Sequence, residues 1–120
     1  MDELKSLFEE KVRLLGTFRE TTERKFASLK AENDIEKRSD LIDELSTERE
    51  ETFRAILALD QRIEAQRMLT KASEFERLST DPGFRKTLEE MVTKINNIQL
   101  TDQALFLYIQ SIGGDVRADI

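Results

Sequence analysis

Apolar positions recur along this chain at helical spacing, most strongly from Phe84 to Ile112. Leu88, Ile95, Asp102 and Ile109 form one heptad row. Met91, Ile98, Leu105 and Ile112 form the second, and Phe84 extends the stripe one turn upstream. Only Asp102 interrupts the seam, which predicts a long helix with one strongly buried face. Asp81 marks its start, because a carboxylate there accepts bonds from the first free backbone N–H groups. Pro82, the single proline, suits the first helical position because it has no N–H to lose. Gly113-Gly114 predicts its end, since glycine adopts the left-handed conformation that stops a helix. Phe106, Leu107 and Tyr108 make the last turns apolar nearly all round, more than one packing partner can cover.

Two further stripes precede this one. Between Asp2 and Ala31, Leu4, Leu15 and Phe26 repeat at eleven, as do Leu7, Phe18 and Leu29. That period predicts a straight or weakly right-handed helix. Gly16 lies inside it. The glycine is either a tolerated one, costing up to about 1 kcal/mol against alanine, or the mark of a close helix approach; the first reading is favoured. The stripe lapses at Ala31-Glu32-Asn33-Asp34. Asn33 with Glu36 fits a capping box, and Ser39-Asp40 offers a second restart, so a turn is expected within 31–40. Beyond it Ile42, Leu45, Ile56, Leu59 and Ile63 hold heptad rows. Phe53 and Leu57 widen the stripe, and Arg49 and Thr52 interrupt it. No glycine or proline falls between Gly16 and Pro82, so this helix can run to about Leu78. Ser73 with Glu76 is another capping box and allows a break near Thr70.

The expected fold is all-α: an antiparallel, coiled-coil-like bundle of three or four long helices. Residues 1–112 form a single domain and 113–120 a short tail. Composition agrees, since 37% of residues are charged and glycine and proline are scarce. The hydrophobic share of 38% suits thin bundles, in which each helix buries one stripe.

Charge narrows the function. Acidic residues outnumber basic ones by 25 to 19, and the signs alternate along the helices, as in Glu23-Arg24-Lys25. Nucleic acid and anionic membrane surfaces favour clustered Lys and Arg, so both are disfavoured as partners. The chain has no cysteine for thiolate chemistry and no histidine for acid–base work near neutral pH. No nucleophile elbow or phosphate-cradling glycine loop appears. Asp40, Asp43 and Glu44 cluster, but helical di-metal sites combine carboxylates with histidine, so these read as a solvated face, as do Asp60 and Glu64. No enzyme activity, metal or cofactor is expected. No apolar run approaches the roughly 18 residues of a membrane span. The start, Met1-Asp2-Glu3, lacks an apolar signal core, which predicts a cytoplasmic protein without membrane insertion.

Two features admit two readings each. Asp102 either sits at the rim of its stripe or fixes register as a polar seam residue, with Arg49 as a candidate partner. The Phe106-Leu107-Tyr108 surplus is either covered within the chain or forms an interface, sealing a homodimer or receiving a partner's amphipathic helix.

The middle of the chain reads Glu36-Lys37-Arg38-Ser39-Asp40-Leu41-Ile42-Asp43-Glu44-Leu45, then Glu48-Arg49-Glu50-Glu51, then Ile56-Leu57-Ala58-Leu59-Asp60-Gln61-Arg62-Ile63. This resembles flagellar type III export chaperones of the FlgN/FliT type, which are small, acidic, cysteine-poor and helical. Ile95-Asn96-Asn97-Ile98 is similar to part of their final client-binding region. The resemblance covers residues 1–112 in architecture. It implies a cytoplasmic chaperone that keeps an amphipathic helix of a secreted flagellar or type III secretion client soluble until export.

The leading expectation is therefore a helical chaperone or adaptor whose client lies in a hydrophobic groove formed by Leu105, Phe106, Tyr108, Ile109 and Ile112. The alternative is a self-associating coiled-coil protein without a client. A homodimer is expected as well, because long thin helices bury little apolar area alone, at roughly 25 cal/mol per Å².

Overall fold

The described residues form four helices: α1 (Asp2–Ala31), α2 (Ile35–Leu69), α3 (Ala72–Ser79) and α4 (Pro82–Ala118). The computed structural model describes the backbone of residues 2–118 and the side chains of 3–112. The fold is an all-α bundle in which α1, α2 and α4 are the long members. Among the described residues no helix is long and apolar enough to cross a membrane.

The turns obey local chemistry, with small departures from expectation. The first occupies only three residues, and its cap is Asp34 rather than Asn33. The Asp34 carboxylate accepts the Glu36 N–H at 2.9 Å. The Arg38 guanidinium donates to the Glu32 carbonyl at 2.6 Å and pins the loop from the far side. The second helix does break near Thr70. There the Thr70 hydroxyl donates to the Gln66 carbonyl at 2.8 Å, and the backbone leaves helical geometry. Ser73 does not cap the next helix: α3 starts at Ala72, and its N-cap Lys71 makes no side-chain bond. Packing holds α3 in place, since Leu78 is buried against Leu4, Leu59, Ile63 and Phe84. Asp81 then caps α4, its carboxylate accepting the Phe84 N–H at 2.9 Å with Pro82 in the first position. The helix carries on across Gly113-Gly114 to Ala118 instead of ending there. The side chains of the tail expected over 113–120 lie outside the described residues.

Three apolar clusters are strung along a body of 63 × 22 × 19 Å. At one end lie Leu4, Leu7, Leu59, Ile63, Leu78 and Phe84, where Phe8 meets Phe84 edge-on at 5.3 Å. In the middle lie Leu15, Phe18 and Ile56, with Met91, Ile95 and Ile98 packed against them. At the far end lie Leu29, Leu45 and Leu105. This order makes α2 antiparallel to α1 and sets α4 beside α1 in the same direction. Ion pairs between Lys11 and Asp60 at 2.7 Å and between Lys25 and Glu44 at 2.9 Å tie α1 to α2. Hydrogen bonding to Glu44 raises the pKa of Lys25. The carboxylates of Asp60 and Glu44 are thus occupied as surface ion-pair partners.

Candidate functional site

The first helix serves as a common floor. Both α2 and α4 pack on α1, yet among the described residues no Cα of α2 comes within 8 Å of one in α4. The gap between them forms an open groove of about 460 Å³. Leu15 and Phe18 of α1 form its base. Phe53 and Ile56 of α2 and Ile95 and Ile98 of α4 form apolar walls. Phe53 is 52% exposed, so the groove's apolar lining faces solvent.

One end of the groove is polar. Arg49 reaches across from α2 and meets Asp102 of α4 with two parallel bonds, at 2.7 and 2.9 Å. The same guanidinium donates to the Thr22 hydroxyl at 3.2 Å and lies 4.6 Å from the centre of the Phe18 ring. A planar, delocalised cation makes fork-like bonds and ring stacking together, which the ammonium of lysine cannot do. Arg49 and Asp102 each interrupt an apolar stripe, and here they complete each other. The guanidinium–carboxylate pair spans the two walls. Glu50 and Gln99 flank the pair at the rim.

The five residues expected to form a groove do not share one surface. Leu105 is buried with Leu29 and Leu45 in the end cluster, so it is core and unavailable to a partner. Tyr108 and Ile109 pack against that cluster. The Tyr108 hydroxyl reaches the Leu29 carbonyl at 3.4 Å, and its ring tilts against Phe26 at 5.6 Å. Ile112 is half-buried. Only Phe106 is freely presented, at 61% exposure. It stands four residues beyond Asp102, on the same helical face, one turn past the polar end of the groove.

The apolar liners were visible in the sequence as stripe residues but not as a site, and Glu50 and Gln99 belong to no stripe. Phe53 and its neighbour Leu57, which lies outside the groove, carried the available signal. They widen the α2 stripe beyond what one neighbour can cover, and both remain exposed, at 52% and 46%.

Gly16 faces only the flexible end of Lys94, so no helix backbone approaches it. Among the described residues no group of three metal-ligating side chains gathers. Compared with known proteins, the chain matches no protein-family model, no curated protein and no solved structure.

Proposed function

We propose that the chain is a helical binding module that receives one amphipathic helix of a partner protein between α2 and α4. The observation that carries this reading is the groove itself. It has an apolar floor and two apolar walls, and among the described residues no further helix lies over it. A helix with anchors at i, i+3 or i+4, and i+7 matches the spacing of Ile95, Ile98 and Asp102 on one wall and of Arg49, Phe53 and Ile56 on the other.

The finer reading is an export chaperone acting in the cytoplasm, with the helix belonging to a secreted flagellar or type III secretion subunit held soluble until export. It is supported by the resemblance of residues 36–63 and by the groove, which suits a helix that aggregates when left bare. A second copy of this chain is the competing occupant. A two-fold dimer, the homodimer expected from the sequence, would bury this same surface on both copies.

The test compares the wild type with Phe53→Asp and with Met68→Asp, the latter at an exposed position away from the groove. Each tagged protein is incubated in lysate of its own cell, and sedimentation is run on the purified chain. The reading expects a discrete protein partner retained by wild type and Met68→Asp but lost from Phe53→Asp, with the purified chain monomeric. Identical retention by all three variants overturns the groove. Sedimentation as a dimer that Phe53→Asp dissolves assigns the groove to a second copy instead.

A further inference from the structure

The polar end of the groove carries information about what the groove accepts, and this inference rests on the partner-helix reading. Three charges line it: one cation, Arg49, and two anions, Glu50 and Asp102. The cation is committed. Its two terminal nitrogens serve Asp102 and Thr22, and its face lies against Phe18. The anions retain capacity. A carboxylate accepts about four hydrogen bonds, and the side chain of Asp102 is still 37% exposed. Among the described residues Glu50 is held only by Arg54, four residues away on the same helix, at 2.6 Å. Those two side chains are 62% and 74% exposed, so this is a solvated surface pair that a competitor displaces at little cost.

A helix laid along the groove passes directly over these groups and removes their water. An apolar residue at that point would strip Asp102 of solvent and return no hydrogen bond, which is costly. An acidic residue would add a third carboxylate beside Glu50 and Asp102 and bring no donor. A neutral amide or hydroxyl returns donors, and a basic residue returns donors that also carry the opposite charge.

We propose that the partner helix carries a lysine or arginine where its apolar stripe passes Glu50 and Asp102, and that these two carboxylates select it. Phe53, Ile56, Ile95 and Ile98 then take the apolar anchors on one side of that residue, and Phe106 is placed for a further anchor on the other. Glu50 and Asp102 act as specificity-determining residues, and Arg49 acts as a positioning residue that aims Asp102. The occupant is thus a cationic amphipathic helix with its apolar stripe interrupted by one basic residue, which also complements the formal charge of −6 on this chain.

The test uses three synthetic amphipathic peptides of about 18 residues, long enough to form helix. They are identical except for Lys, Gln or Glu at the stripe-interrupting position. Affinity for the full chain is read by fluorescence anisotropy at low and high salt. Lys is expected to bind tightest and Glu weakest, with about a five-fold spread or more at low salt that shrinks at high salt. Glu50→Lys, at an exposed position, should reduce or reverse that order. Phe53→Asp should weaken all three peptides, the Lys peptide least because the new carboxylate adds to the same lining. Equal affinities that still depend on Phe53 overturn the charge selection and leave the groove standing, as does an order that Glu50→Lys and Asp102→Asn both leave unchanged. Binding that survives Phe53→Asp, or binding by none of the peptides, overturns the groove and the selection together.

Discussion

Arg49 of α2 and Asp102 of α4 join across a gap that no backbone contact closes, with two bonds at 2.7 and 2.9 Å. The pair is partly buried, its side chains 23% and 37% exposed. Removing one partner strands the other's charge beside Phe18, whereas removing both does not. Asp102→Ala is expected to lower unfolding free energy by about 1–3 kcal/mol. The double variant Arg49→Leu with Asp102→Leu should retain more stability than Asp102→Ala alone. Denaturant titration of Arg49→Leu, Asp102→Leu and the double variant closes the cycle, and strictly additive losses would show that the two side chains do not act as a unit.

The far end of the bundle separates core from surface within four residues. Leu29 is fully buried, so Leu29→Ala should cost about 2–5 kcal/mol. Phe106→Ser, at an exposed position, should change stability by no more than about 0.5 kcal/mol. Tyr108→Ser falls between, because it loses packing on Phe26 and the bond to the Leu29 carbonyl. Thermal melts of the three variants would show the order. A Phe106→Ser melt as damaged as that of Leu29→Ala would move Phe106 into the core.

Gly16 sits mid-helix with only the tip of Lys94 near the space a methyl group would fill, at 3.1 Å. That lysine end can swing aside. Gly16→Ala should therefore stabilise the chain by about 0.5–1 kcal/mol, through helix propensity and a less disordered unfolded state. A loss of stability on denaturant titration would mean that Lys94 cannot move.

Acid should act partly through the start of α4. The Phe84 N–H and then Lys5, at 3.2 Å, hold the pKa of Asp81 below its ordinary value. A depressed folded pKa means that the unfolded chain takes up the proton first. The stabilising contribution is complete above the usual aspartate range and is lost as pH falls through the lower, folded value. Asp81→Asn should accordingly lower the neutral plateau of a stability-against-pH curve, where the ionised carboxylate contributes, and so flatten its acid limb. An unchanged acid limb would assign the acid sensitivity to other carboxylates.

Periodicity by itself determined that the chain is helical, and the chemistry of Asp81 and Pro82 placed the start of α4 to the residue. Both are local properties: a 3.6-residue repeat and a side chain bonding three residues ahead depend on nothing distant. Where two local solutions competed, sequence chose less well. Asn33 and Asp34 are adjacent potential caps, and Ser73 with Glu76 mimics a cap inside a helix that packing of Leu78 positions. Tertiary structure alone decided which apolar residues are core and which are surface. Leu105 and Phe106 are neighbours in one apolar run, yet the hundred-degree step between them puts one against Leu29 and Leu45 and the other in solvent. Arg49 and Asp102 were each legible as a break in a stripe. Their union depends on the register of two helices that meet 53 residues apart in sequence, which is set by how each rests on α1. The groove has the same origin, because a helical stripe specifies the face to be buried but not the number of neighbours that arrive to cover it.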